Sequence, residues 1–266
     1  MTPIPPAPTA KPLPRPGWFS RLGGSILFYT RLPLPPGWVP SFEGIAVFAP
    51  VVGLGLAMGL GGVDWAWGRL GLPVFTRSAV VIALWMWLTG GLHLDGAMDT
   101  ADGLAVMEPE RRLAVMADSR SGAFGVMAAI AILGLKTLAL AELSGGRAWV
   151  LAAALVWGRW GQVVAIARYP YLRPEGNGAL HREHMRSPQD WLLGLALGFG
   201  LHGAWIWLYP TQYRLVAGLL AAGLLGSITL GAWFNRRLGG HTGDTYGATV
   251  EWTETLLLCL ATLGLG

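Results

Sequence analysis

The spacing of its apolar stretches limits this chain more than any other feature. Seven segments, 43–62, 73–91, 122–142, 148–167, 190–209, 214–233 and 248–266, each approach the roughly 20 residues that cross a hydrocarbon core about 30 Å thick. Lipid offers no partner to backbone N–H and C=O groups, so segments of this kind span as helices. The sequence therefore predicts an all-α, polytopic integral-membrane bundle of about seven transmembrane helices. Composition agrees: only 13% of the residues are charged, about half of what a soluble domain carries. The 14 Trp and 39 Gly suit interfacial aromatic belts and close helix contacts. Residues 24–35, GSILFYTRLPLP, are too short to span and read as an interfacial segment ending in a proline-stiffened turn. Residues 1–18 are Pro-rich, hold Lys11 and Arg15 and lack an apolar h-region, which predicts a flexible tail rather than a signal peptide. Residues 19–266 read as a single transmembrane catalytic domain.

Basic residues are distributed unevenly across this layout. Thirteen of the 19 Lys and Arg fall on the side of the N-terminal tail and the loops 92–121, 168–189 and 234–247. The other side holds Arg69, Arg77, Arg147 and Arg214, and Lys136 and Arg159 lie inside spans. The positive-inside rule then makes the first side, and the N-terminus with it, cytoplasmic. A pI near 9.6 raises the question of nucleic acid, but no basic run or recognition motif is present, and nucleic acid is excluded as a partner. The single cysteine, Cys259, sits in an apolar run, so neither a disulfide framework nor a thiolate metal site is expected.

Six of the chain's 15 acidic residues crowd into one stretch: Asp95, Asp99, Asp102, Glu108, Glu110 and Asp118. If residues 93–104 are helical, Asp95, Asp99 and Asp102 stand at i, i+4 and i+7, within roughly 60° of one another. Like charges so close repel unless a positive charge lies among them. A hard divalent cation, Mg²⁺ or Mn²⁺, meets that need and is commonly shared with substrate phosphates. Asp95, Asp99 and Asp102 are the expected ligands, with Asp118 as a further one. A solvated acidic loop is the plainer reading, disfavoured by the concentration of charge in a charge-poor chain.

Two more polar stretches fall on the same side. The loop 168–186 brings Arg168, Arg173, Arg182 and Arg186 together with two glycines, His181 and His184. Arginine forks match phosphate oxygens, and with Arg120 from the acidic stretch, Arg168, Arg173 and Arg182 are the expected phosphate-binding residues. The loop 234–247 sets four glycines around His241 and Asp244, which suits backbone wrapped around a ligand, with Gly240 and Thr242 in contact with substrate. Its start, Gly239-Gly240-His241-Thr242-Gly243-Asp244, faintly echoes Gly90-Gly91-Leu92-His93-Leu94-Asp95. His93 and His241 can each serve as base, ligand or structural donor. Asp244 can complete a metal shell or take a proton. Lys136 and Arg159 lie within spans, where ionisable groups are usually functional; Glu142 on the same helix is the simple structural partner for Lys136.

These pieces resemble a known family. HLDGAMDTADG (His93–Gly103) with DSRSGAFG (Asp118–Gly125), FYTRLPLP (Phe28–Pro35), PYLRPEGNG (Pro170–Gly178) and GGHTGDTYGA (Gly239–Ala248) are similar to the signature of the adenosylcobinamide-GDP ribazoletransferases, the cobalamin synthases. The resemblance runs through nearly the whole chain in order; Leu172 and Asn177 depart from the pattern in the fine shape of one loop. It implies an Mg²⁺-dependent enzyme in the inner membrane of a bacterium. Such an enzyme joins adenosylcobinamide-GDP to α-ribazole, or its 5′-phosphate, and releases GMP. Small-molecule substrates and membrane lipid are then its partners, and a homo-oligomer is compatible with it. The rivals are a secondary transporter with an acidic ion site and another membrane alcohol phosphotransferase. Transporters place such sites at the bilayer midplane, whereas these carboxylates follow the end of a span.

Overall fold

Helix accounts for the regular structure because the long apolar runs leave the backbone no other way to satisfy its polar groups. The computed structural model describes residues 17–173, 185 and 189–266. Among these are ten α-helices: α1 (Trp18–Tyr29), α2 (Ala49–Arg69), α3 (Val74–Leu88), α4 (Leu92–Ala105), α5 (Pro109–Met116), α6 (Ala123–Glu142), α7 (Arg147–Arg168), α8 (Gln189–Leu208), α9 (Tyr213–Leu238) and α10 (Gly243–Leu265). Short 3-10 turns precede α2 and α9. No strand ladder forms among the described residues, only one isolated bridge between Tyr171 and His241. The all-α membrane bundle holds.

Six helical stretches are long and apolar enough to cross a membrane: Ile45–Arg69, Ala123–Glu142, Arg147–Arg168, Gln189–Leu208, Pro210–Leu238 and Gly243–Leu265. A seventh crossing exists only as the bent pair α3 and α4, whose axes meet at 89°. The bend falls at Gly90 and Gly91, with φ of 66° and 71°, a left-handed conformation that glycine adopts without a Cβ penalty. α4, with 14 residues, belongs to none of the six spans. The chain is thus a multi-pass membrane protein.

α7 is the axis of the bundle. In it 89% of the apolar window is buried, and α2, α8, α9 and α10 pack around it. Its residues Trp157, Leu151 and Leu155 are fully enclosed, with Gly198 and Gly223 lying against the Trp157 ring. α7 runs from Arg147 at one end of the bundle to Arg168 at the other, so the two ends can be told apart. At the second end stand the start of α4, the loop from Tyr169 to Arg173 and the start of α10.

Several boundaries differ from the sequence expectation, each for a physical reason. The interfacial segment 24–35 becomes α1 followed by extended chain, and α1 ends where Thr30 turns its hydroxyl back onto the Ile26 carbonyl. α2 continues past 62 to Arg69 because Asp64 is neutralised by arginines of neighbouring helices. α9 runs on to Leu238, with Arg237 laid over the Trp233 ring at 5.5 Å, a basic side chain at a helix C-terminus. α10 begins at Gly243 rather than 248, under a capping box between Thr242 and Thr245. The expected loop 234–247 therefore shrinks to four residues, 239–242.

Lys136 is also partnered differently from expectation. Instead of Glu142 it meets Glu251 and Glu254 of α10, both at 2.6 Å. Arg159 of α7 takes the other oxygen of Glu254 at 2.7 Å, and the Lys136 ammonium lies 4.3 Å from the Trp85 ring centre. Two cations and two anions from three helices thus neutralise one another inside the bundle. Such groups are held there only when paired.

Candidate active site

α4 forms as the carboxylate spacing predicts, and Asp95, Asp99 and Asp102 share one of its faces. The three have different surroundings. Asp102 accepts hydrogen bonds from the backbone N–H groups of Gly122 (2.7 Å) and Gly125 (2.8 Å). A carboxylate at the start of α6 is the expected answer to that helix's free N–H groups and positive end. Asp95 is exposed and Asp99 half-buried. Burial pushes the Asp99 carboxyl up to about 7, Asp95 and Asp244 push it in the same direction, and Arg173 opposes them. Asp99 therefore sits inside a field of negative charge that one arginine does not balance.

The element facing α4 is the start of α10. The two helices touch because each offers a glycine: a Cβ on Gly96 would lie 2.7 Å from the Asp244 carbonyl oxygen, and one on Gly247 would lie 2.8 Å from that of His93. The contact is reciprocal, the backbone of His93 against Gly247 and that of Asp244 against Gly96. Its two halves are the segments whose sequences echo each other. Both follow a glycine of positive φ, Gly91 at 71° and Gly239 at 83°, and both set an aspartate in the first helical turn, Asp95 and Asp244. The echo thus has a geometric counterpart. Gly96→Ala should drive α4 and α10 apart, costing about 1–3 kcal/mol of stability and most of the activity. Gly62→Ala, where a Cβ meets nothing within 4 Å, should do neither; thermal unfolding and turnover of the two purified variants check this.

The arginine loop joins the same site through backbone pairing. Leu172 N–H donates to the His241 carbonyl (2.9 Å) and His241 N–H to that of Pro170 (2.8 Å). Gly240 fits against the Pro170 carbonyl and Leu172, where a Cβ would be 2.7 Å from each. Arg173 is thereby placed with its Nη2 2.8 Å from Asp244 Oδ2. Thr242 donates its hydroxyl to the same Asp244 oxygen (3.2 Å) and caps α10 by accepting from Thr245 N–H (3.3 Å).

His241 is fully buried and both ring nitrogens are engaged, with the Gly231 carbonyl at 3.0 Å and the Thr245 hydroxyl at 2.9 Å. It lies between the rings of Tyr169 and Tyr246, at 5.2 and 5.3 Å, and burial lowers its pKa to about 4. That arrangement fixes the loop by a neutral imidazole. His93 is buried against Tyr29, ring centres 5.9 Å apart, and its Nε2 has no hydrogen-bond partner. Burial, with Arg159 and Lys136 adding, holds its pKa well below the usual histidine value.

Three expected members, Asp118, Arg120 and Arg168, stand apart from this arrangement. Asp118 is spent on Arg120, whose guanidinium forks onto it at 2.6–3.2 Å on the surface; the pair lowers the Asp118 pKa to about 2. Arg168 closes α7 as an exposed residue. Arg182, with Arg186, His181 and His184, lies outside the described residues. Sequence reasoning missed Thr245 and Tyr246, which hold His241, and Gly96 and Gly247, which let the helices meet. Only Thr242-x-x-Thr245 carried a readable signal, that of a helix cap.

Among the described residues no three His, Cys, Asp or Glu side chains are already drawn into a coordination shell. The fit of a cation therefore rests on charge and donor type. Asp95, Asp99 and Asp244 are hard oxygen donors whose summed charge exceeds that of Arg173, and after burial the charges of Asp95 and Asp244 add to the rise of the Asp99 carboxyl. Such a set suits Mg²⁺ or Mn²⁺ and no softer metal.

Comparison with known proteins fits this geometry to a family. The family model for cobalamin-5-phosphate synthase matches residues 21–262. The chain belongs to the cobalamin-5-phosphate synthase family. Its relatives include the adenosylcobinamide-GDP ribazoletransferases of Trichormus variabilis, 56% identical over 90% of this chain and 95% of the relative, and of Thermosynechococcus vestitus, 53% identical over 91% and 95%. That of Prochlorococcus marinus strain MIT 9303 is 41% identical over 92% and 96%. No solved structure matches this chain. The cobalamin-5-phosphate synthase match covers every residue placed at the site, from Tyr29 to Gly247.

Proposed function

We propose that this chain is an adenosylcobinamide-GDP ribazoletransferase that joins adenosylcobinamide-GDP to α-ribazole, or its 5′-phosphate, and releases GMP with the help of Mg²⁺. The reading rests above all on the convergence of Asp95, Asp99, Asp244 and Arg173 at one end of a membrane bundle. Transfer between a diphosphate and an alcohol needs positive charge at the phosphates and a route for one proton. Asp95, Asp99 and Asp244 would hold a divalent cation, which would supply charge stabilisation to the departing GMP. Arg173, already bound to Asp244, orients that carboxylate and offers its remaining N–H groups to phosphate oxygens. Asp102 positions the rim of the site by fixing the start of α6 against α4. His241 holds the 239–242 turn in register with the Pro170–Arg173 segment, so Asp244 and Arg173 arrive together. With both His241 nitrogens engaged, the proton of the attacking hydroxyl goes to a carboxylate of the cluster.

The excess of Lys and Arg at this end supports a cytoplasmic orientation in a bacterial inner membrane, the side on which a GDP-linked substrate is available. Purified protein in lipid nanodiscs, given both substrates and Mg²⁺, should release GMP in step with joined product. A transporter would release none, and that result would sink the reading.

A further inference from the structure

The end of the bundle opposite the aspartates carries a second polar site that the transfer reaction does not use. Asp64 of α2 is buried and accepts from Arg147, the first residue of α7, at 2.8 Å (Nε) and 2.7 Å (Nη2). Arg147 also donates to the Ser78 hydroxyl at 2.9 Å and to the Leu140 carbonyl. The Arg77 Nε of α3 shares the same carboxylate at 3.0 Å. One negative charge therefore serves two guanidinium groups. A third, Arg69, ends α2 without an ion-pair partner among the described residues. These three arginines and Asp64 line one open cavity of about 400 Å³, within the size range of ligand sites (about 300–1,000 Å³). Trp65, Trp149 and Tyr209 form its aromatic wall.

Three observations single this cavity out. The sequence puts only four basic residues at this end of the bundle, Arg69, Arg77, Arg147 and Arg214, and three of them meet here. The largely buried Arg77, Arg147 and Asp64 leave one positive charge uncompensated where that is costly, and the exposed Arg69 adds a second at the cavity's edge. Arg77 also lies flat across α2 at Gly68, where a Cβ would come within 2.0 Å of its Nη1. Donors of Arg147 are largely taken by Asp64, Ser78 and Leu140. Arg69 and the outer N–H groups of Arg77 are the ones left to meet a ligand. Forked guanidinium groups at the level of an aromatic belt match a phosphate ester.

We propose that the cavity between α2, α3 and the start of α7 binds an anionic phosphate group, that of a lipid headgroup of the adjoining leaflet or free inorganic phosphate, at a site separate from the aspartate cluster. A bound phosphate would tie α2 to α3 and α7 and balance the surplus charge.

The test follows thermal unfolding of the full chain in neutral detergent while phosphatidylglycerol, phosphatidylcholine or inorganic phosphate is titrated in. A saturable rise in unfolding temperature with phosphatidylglycerol but not phosphatidylcholine assigns the lipid headgroup; an equal rise with inorganic phosphate assigns the free ion. In either case Arg69→Gln should weaken the apparent affinity roughly tenfold or more, by loss of one charge-assisted contact. Adding Arg77→Gln should abolish the rise. Arg69 is exposed, so the single variant folds even where the double does not. Arg214→Gln, which removes the same charge from the same end outside the cavity, should leave the titration unchanged. No rise with any probe, or an equal rise in Arg69→Gln and wild type, overturns the site.

Discussion

Asp99→Asn should insert and fold yet lose GMP release by about a hundred- to a thousandfold, the effect of removing one preorganised electrostatic group at a reacting phosphate, about 3–4 kcal/mol. The Asp99 carboxyl is raised by burial first and then by the charges of Asp95, Asp244 and Asp102. Asparagine keeps the shape and removes the charge. Without a cation, relief of repulsion among the carboxylates should even raise the unfolding temperature slightly. A stability gain with an activity loss marks a group placed for function rather than for the fold. Turnover and unfolding of the same preparation check both halves. Asp118→Asn, in an exposed pair with Arg120, should change neither by much.

Lys136→Met should be the most damaging single change to the fold. It leaves Glu251 and Glu254 facing each other across the buried space that the ammonium now fills, with Arg159 able to answer only one of them. Breaking a buried ion pair by removing one partner costs about 3–5 kcal/mol, a large share of a membrane helix bundle's stability. The compensated variant Lys136→Met with Glu251→Gln should recover most of that loss, because the remaining Glu254–Arg159 pair is neutral. Retention of monodisperse protein after heating in detergent measures it. If the double variant is no better than the single, the network is not governed by charge balance.

How much of this was legible in the sequence depends on how far apart the interacting residues lie. The helix of α4 was readable because Asp95, Asp99 and Asp102 repeat at helical spacing within eight residues. The spans were readable because lipid enforces length and hydropathy, but their ends were not. Arg236 and Arg237 look like loop residues, yet they ride the last turn of α9 with Arg237 over Trp233. The end of a span at Gly91 was visible; the 89° turn there was not, since packing against α10 sets the angle. Lys136 was recognisable as an anomaly, but its partners lie 115 and 118 residues away, and the nearer Glu142 was the only candidate that local spacing could offer. The aspartates of α4 and the loop carrying His241 and Asp244 were each singled out from residue type alone. Their meeting through Gly96 and Gly247, and the pairing of His241 with Pro170 and Leu172, required the fold. The faint repeat of Gly90–Asp95 in Gly239–Asp244 was the one sequence hint that the two belong together.

The central claim is that Asp95, Asp99 and Asp244 together hold a divalent cation. Electron paramagnetic resonance of Mn²⁺ titrated into the nanodisc-embedded chain measures that most directly, because bound Mn²⁺ loses the six-line signal of the free ion. The account predicts saturable loss of signal in wild type, reversed by excess Mg²⁺, with apparent affinity at least about tenfold weaker in Asp99→Asn and in Asp244→Asn, as expected for removal of a charged ligand. Equal Mn²⁺ binding by wild type and both variants would contradict it.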